Sequence, residues 1–279
     1  MTQTTNPTAR IAVIMAAYNA EATIRRAVQS VLDAARGGAA TTTVDLFVVD
    51  DASRVPVAGI LETAPNLHIL RLSENCGPGA ARNHALERIL AADYAYVAIV
   101  DADDAVRADR FAAQAAFLDA HPEIGAVGSA MQVVTEQTFE PVYQASMPTE
   151  DDDIRTAMFS NLALLHPTLM ARTALFRKHG GYDTSFVVAE DYEMLRRFQR
   201  HTRFANLPVV LVDYRLSQNG QSLGRRRRQL WDRLRVQLRY FAPLDWRAWA
   251  GVAKTLVLFA TPVGLVTRLK ARRTRAVPA

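Results

Sequence analysis

The sequence predicts an α/β protein with a mainly parallel central sheet, followed by a helical C-terminal segment. Three features predict it. Short β-branched runs alternate with helical patterns, the runs are apolar on both faces, and the two most apolar runs end directly in carboxylates. With 279 residues, 49% hydrophobic and 22% charged, the chain is long enough to bury a large core as one α/β domain or two small ones.

The elements follow in order. IAVIM at 11–15 reads as the first strand, followed by a helix from about Glu21. VDLFVV at 44–49 is the second strand, a short helix lies near Val57, and LHILRL at 67–72 is the third strand. A helix from Pro78, the strand YAYVAIV at 94–100 and a helix over 107–120 continue the alternation. Beyond Gly125 the strand candidates are shorter, at 126–134, 168–171 and 209–214. Acidic, loop-like stretches such as 148–153 separate them. From Arg225 the chain reads as helical throughout.

Cys76 is the single cysteine, which excludes an intramolecular disulfide and a multi-cysteine zinc cluster and fits a reducing compartment. The opening MTQTTNPTAR is polar and has no signal-peptide core, so the expected location is the cytoplasm. The net charge of +5 is concentrated at Arg225, Arg226, Arg227 and Arg228 and in the tail Arg268, Lys270, Arg272, Arg273 and Arg275. No aromatic-interleaved platform accompanies those arginines, so nucleic acid is not the expected partner. TLVLFATPVGLVT at 255–267 is too short to span a bilayer. With Trp246, Trp249 and the basic tail around it, the segment suits an interfacial helix on anionic lipid, or an ordinary helix packed on the domain.

Carboxylates end both apolar strands, and ligands of open parallel sheets bind beyond the carboxyl ends of the strands. Asp101, Asp103 and Asp104 cluster there, an arrangement that is costly without a cation or hydrogen-bond donors. Hard oxygens select Mn²⁺ or Mg²⁺, while an N-cap of the next helix explains the same residues equally well. Asp50 and Asp51 fit a ribose or base edge, or an Asx-type turn with Ser53. The loop from Cys76 to Asn83 allows close backbone approach at Gly77 and Gly79 but has neither the GxGxxG nor the P-loop spacing. Arg82 then pairs with a diphosphate or makes a surface salt bridge. Asp191 starts a helix, as a reactive carboxylate or as a cap.

Taken in order, IAVIMAAYNAEATI, FVVDDAS, ENCGPGAARNHAL, VDADD, HPTLMAR, GGYD and AEDYEMLRR resemble the family 2 glycosyltransferases, inverting enzymes of the A-type glycosyltransferase fold. The likeness runs from Ile11 to about Tyr214. It implies a Rossmann-like domain at 10–222, with a nucleotide-sugar half at 10–110 and an acceptor half at 111–222. A disordered terminus at 1–9 precedes it, and helices with a basic, membrane-associating tail follow at 223–279.

The resemblance also implies roles. Ala17, Tyr18, Glu21, Asp51 and Asn75 would surround the donor nucleotide, with Asp51 receiving the uracil imide and Arg82 near the uridine or diphosphate. Asp101 and Asp103 would form the DxD element, with Asp103 ligating Mn²⁺ or Mg²⁺ and Asp101 nearer the ribose or bridging through water. Asp191 would be the general base, and His166, Glu190, Gly181 and Tyr182 would lie on the acceptor side. The implied reaction moves a hexose from a nucleotide sugar, in the first instance a UDP-sugar, to a glycan or lipid-linked acceptor in surface-polysaccharide synthesis, with the enzyme peripheral on the inner face of the cytoplasmic membrane.

Two departures stand out. Ala17 occupies a position where proline often precedes the Tyr-Asn pair, and Ser217 one where many relatives carry a metal-reaching histidine, so Gln218, Asn219 or water would close the site. The QxxRW element of processive synthases is missing, which favours single addition. A sugar-nucleotide pyrophosphorylase would need a Gly-rich basic loop that IMAAYNAEATIRR does not supply. A non-catalytic nucleotide-sugar-binding protein would have no use for Asp191.

Overall fold

A computed structural model of the chain describes residues 9–37, 42–216 and 226–261. Strands β1 (Ala9–Ala17), β2 (Thr42–Asp50), β3 (Leu67–Arg71) and β4 (Tyr96–Asp101) lie parallel in the order β3-β2-β1-β4. A parallel pair needs a long crossover, supplied by helices α1 (Ile24–Gly37) after β1 and α2 (Pro78–Leu90) before β4. Ala9, expected within a disordered N-terminus, opens β1; residues 1–8 lie outside the described residues.

The period-two geometry of a strand explains why β1 is apolar on both sides. Ala12 and Ile14 pack with Ala81, Ala85 and Ile89 of α2 on one face of the sheet. Ile11, Val13 and Met15 pack on the other face with Ala27, Val28 and Val31 of α1 and with Phe111 and Leu118 of α3 (Arg110–Ala120).

The later elements extend this same sheet through both expected halves. β8 (Met170–Arg172) runs antiparallel to β4 and to β6 (Ile124–Thr135), and β9 (Arg203–Leu216) runs parallel to β6. β5 (Ala105–Val106) pairs with β9 at the edge, and β7 (Pro141–Ala145) forms a hairpin arm on β6. The two-residue β5, the exposed β7 and α5 (Thr173–His179) have no counterpart in the sequence reading. β9 begins at 203 instead of 209, because Pro208 is absorbed in a register shift where Ser129 pairs with Leu207 and Ala130 with Val210.

The acidic stretch 148–153 is not a loop throughout. It leads into α4 (Asp151–Ala157), whose first-turn Asp151 is buried and accepts hydrogen bonds from the Phe204 amide at 2.8 Å and Arg155 at 2.6 Å. α6 (Glu190–Phe198) carries the acidic pair of the AEDYEMLRR motif at its start.

The C-terminal segment is not helical throughout either. It forms a hairpin of α7 (Arg226–Arg239) and α8 (Trp246–Ala260), interrupted around Pro243, with Asp245 accepting the Arg247 amide at 2.9 Å as the N-cap of α8. Arg226 closes the far end by donating to the carbonyls of Leu258 at 2.7 Å and Thr261 at 3.0 Å. Gly251 allows α8 to touch the Phe159 carbonyl, which a Cβ would overlap. Trp246, Trp249 and Val257 remain exposed on the hairpin. Among the described residues no helix is long and apolar enough to cross a membrane. Arg225, the basic tail at 268–275 and Ser217, Gln218 and Asn219 lie outside the described residues.

Candidate active site

The carboxyl edge of β2 turns two adjacent aspartates to different tasks. Asp50 accepts the amides of Ser53 at 2.8 Å and Val57 at 3.1 Å, and Arg71 pairs with it. Burial raises its pKa, but these donors outweigh burial and hold it below the usual carboxylate range. The Ser53 turn therefore belongs to Asp50. Asp51, also buried, accepts the amides of Cys76 at 2.8 Å and Gly77 at 2.9 Å and the Asn75 side chain at 3.0 Å. Its own amide donates to the Ala17 carbonyl at 2.8 Å. Asp51 thus clamps the loop entering α2, where Gly77 has φ +87°. Tyr18 is exposed beside this clamp and Glu21 half-exposed before α1. The Asn19 amide donates to Ser53 at 3.0 Å and ties the two loops together.

Arg82 is not a surface residue. It is buried on α2, donates to Asp101 at 2.9 Å, lies 3.5 Å from Glu190 and sits 5.5 Å from the Tyr182 ring centroid. Burial and the adjacent Asp191 push Glu190 up to about 7, against the pull of Arg82. His166 hydrogen-bonds the Tyr182 hydroxyl at 3.0 Å, and burial, then Arg82, press its pKa down to about 3. It is therefore a neutral imidazole at any working pH.

Gly181 and Tyr182 do not line the cleft. Asn83 brackets Tyr182, donating to its carbonyl and accepting its amide, both at 2.8 Å, and a Cβ at Gly181 would overlap the Asn83 side chain. Tyr182 meets the site through His166 and Arg82.

The N-cap explanation of Asp101, Asp103 and Asp104 fails, because α3 starts only at Arg110 with Asp109 before it. Asp103 is pushed up to about 6 by burial and by the charge of Asp101. Asp104 is also raised, by burial and by the charges of Asp101 and Asp103; one oxygen accepts the Arg215 amide at 2.9 Å and the other has no partner among the described residues. Beneath them Arg110 is fully buried, donating to the carbonyls of Ile99 at 2.8 Å and Leu169 at 3.3 Å, and burial lowers it to about 9. The sequence reading missed this cation, which opens α3 and looks in the sequence like the polar start of an ordinary amphipathic helix. Among the described residues no three His, Cys, Asp or Glu side chains converge on a metal position. Asp101 and Asp103 offer two hard oxygen ligands, which suits a small divalent cation that completes its shell with phosphate and water.

Asp101 and Arg82 open onto the first of two chambers that share part of their lining. The larger, about 420 Å³, is lined by Arg82, Asp101, Met131, His166 and Tyr214. The second, about 270 Å³, is lined by Met147, Asn161, Tyr192 and Arg233. Asp191, Leu162, Leu165, Val188 and Gln229 border both. Asp191 therefore stands at the junction. One of its oxygens accepts the Tyr192 amide at 2.6 Å, and burial raises its pKa, the direction that makes a carboxylate a better base. Gln229 and Arg233 were also missed. Their i,i+4 spacing on α7 is visible in the sequence, but the face they present is not.

The family described as Glycosyl transferase family 2 matches residues 12–180. An uncharacterized glycosyltransferase of Haemophilus influenzae is 30% identical over 166 residues, 59% of this chain and 60% of that protein. The succinoglycan biosynthesis protein ExoO of Rhizobium meliloti is 28% identical over 197 residues, 66% of this chain and 54% of ExoO. The chain thus matches little more than half the length of these relatives. S. aureus TarS 1-349 in complex with UDP-GlcNAc superposes with a TM-score of 0.67 at 22% identity, over 88% of this chain and 71% of that one. The shared architecture is the A-type nucleotide-sugar transferase fold.

Proposed function

The chain belongs to glycosyl transferase family 2, and on that premise we propose that it is an inverting glycosyltransferase. It moves a hexose from a nucleotide sugar, in the first instance a UDP-sugar, to a hydroxyl of a glycan or lipid-linked acceptor in cell-surface or exopolysaccharide synthesis. The observation that carries this reading is the position of Asp191, between a chamber holding Arg82 and Asp101 and a second chamber that holds neither. A displacement needs a base on one side of the reacting carbon and charge stabilisation on the other.

The nucleotide would lie across the edge formed by Ala17, Tyr18, Glu21, Asp51 and Asn75. Its diphosphate would point at Arg82, whose guanidinium is held by Asp101 and Glu190. Members of the family generally use a divalent metal. Here Asp103 and Asp101 would hold Mn²⁺ or Mg²⁺, which neutralises charge on a departing diphosphate. Arg82 shares that task, and Asp191 takes the proton of the acceptor hydroxyl. His166, kept neutral, orients without adding charge, with Glu190 beside it. The exposed Trp246 and Trp249 support an anionic membrane as the surface on which the acceptor is met.

A binding and hydrolysis screen of UDP-, GDP- and dTDP-sugars with Mn²⁺, Mg²⁺ or chelator tests the proposal. Metal-dependent turnover of a UDP-sugar is the expected result; failure to bind any nucleotide sugar would overturn it.

A further inference from the structure

Arg233 stands apart among the cations of the cleft. Arg82 is paired twice, by Asp101 and Glu190. On α7, Arg228 and Arg235 pair with Asp232, Arg239 pairs with Asp183, and Arg226 caps α8. Arg227 projects into solvent. Arg233 is half-buried in the wall of the second chamber and makes no hydrogen bond or ion pair among the described residues. Asp191 lines the same chamber and attracts Arg233 electrostatically without forming an ion pair with it.

A half-buried guanidinium with no ion-pair or hydrogen-bond partner among the described residues keeps a fork of donors that a ligand's oxygens can take up. Burial indeed depresses its pKa, with Tyr192 and Asp191 pulling the other way. Besides Asp191 and Tyr192, the chamber is walled by aliphatic side chains such as Leu162, Leu165 and Val188 and by the amides of Asn161 and Gln229. One fork of N–H donors, two amides and an aliphatic surface make a complementary host for an amphiphilic phosphate ester.

We propose that Arg233, assisted by Gln229, binds a phosphate group carried by the acceptor next to its reactive hydroxyl, so that the acceptor is a lipid-phosphate-linked sugar. The inference rests on the proposed transferase reading and deepens it by naming the acceptor class. Asp191 borders the same chamber, so a phosphate gripped by Arg233 would fix the distance of the neighbouring hydroxyl from its base.

Calorimetric titration of the full chain, with UDP and Mn²⁺ present, provides the test. The probes are octyl glucoside, the glucosyl octyl phosphate diester, octyl glucuronide and inorganic phosphate. In the native protein the diester is expected to bind at least about tenfold more tightly than the neutral glucoside, the scale of one charge-assisted hydrogen-bonded contact. Inorganic phosphate should compete with it only weakly, because it leaves the apolar wall bare; competition as strong as the diester's would show an unspecialised anion site and overturn the lipid assignment. Arg233→Gln should erase the diester preference and Arg233→Lys should keep part of it. Gln229→Glu, one turn away on the same helix, offers a second route and should weaken the diester more than the glucoside.

Equal affinity for diester and glucoside in the native protein would overturn the inference, as would a preference that survives Arg233→Gln with an unchanged Tm. Tighter binding of the glucuronide would assign the site to acidic sugars instead. UDP binding, measured in the same preparation, separates the two levels. Its loss counts against the transferase reading, whereas its presence without diester preference counts against the phosphate site alone.

Discussion

Two groups of carboxylates, one at the end of β2 and the other behind β4 and at the start of α6, differ in what hydrogen-bonds them. Asp50 and Asp51, behind β2, are saturated by protein donors: backbone amides, Arg71 and Asn75. Asp103, Asp104 and Asp191, behind β4 and at the start of α6, each receive at most one backbone amide from another residue, and burial holds their pKa values high. The first group has its counter-charge built into the loops and serves to shape them. The second keeps acceptor capacity free among the described residues, and in the proposed function that under-satisfaction would separate a reactive carboxylate from a structural one.

The largest effect that would test this division is at Asp191. Asp191→Asn should lower sugar transfer about 10²–10⁴-fold while the Kd for UDP stays within a few-fold, read by product formation and calorimetry. Equal transfer rates would remove Asp191 from the reactive group. On the structural side, Asp50→Ala strands two buried amides and Arg71, and should cost about 2–4 kcal/mol in denaturant unfolding. A loss well under 1 kcal/mol would break the contrast from the other end.

The unsatisfied group also predicts a pH dependence with a definite sign. Glu190 titrates near 7 in the folded chain against an ordinary 4.5, so the folded state keeps a proton that the unfolded chain releases. Stability of the ligand-free protein should therefore fall as pH rises from about 4.5 to about 7, and Glu190→Gln should flatten that slope in Tm measurements. Gly251→Ala, which drives a methyl into the Phe159 carbonyl under α8, should cost about 1–3 kcal/mol. Smallest of all, Tyr182→Phe removes one hydrogen bond from His166 and should cost about 1 kcal/mol, with no new inflection near pH 6.5 in the rate profile.

How legible this was in the sequence depended on the distance over which each feature is decided. β1, β2 and β4 were readable because burial on both faces leaves an unbroken apolar run. β5 is two residues long and exists only because β9 lies beside it, and α4 was obscured because three aspartates in a first helical turn look like a loop. The break at Pro243 was the reverse case, a local signal overruled by the long helical pattern on either side. At the site, the ordered motifs pointed to Asp101, Asp103 and Asp191 as candidates, but the burial of Arg82 between Asp101 and Glu190 joins positions 108 residues apart in the chain. No local pattern carries that information, nor the lack of a hydrogen bond or ion pair at Arg233 among the described residues.

The reversed direction of β8 has a consequence for how such a site can diversify. Parallel strands deliver to the carboxyl edge the loops that follow them, which is how β1, β2 and β4 bring Tyr18, Asp51 and Asp101. An antiparallel strand delivers the segment that precedes it, so β8 brings His166 together with Asn161, Leu162 and Leu165. On the proposed reading, the nucleotide side and the acceptor side would thus be written in separate stretches of chain. If that proposal holds, exchanges within 159–165 would re-specify what receives the sugar while Tyr18, Asp51 and Asp101 stay as they are, which makes that segment the place to graft a new acceptor preference.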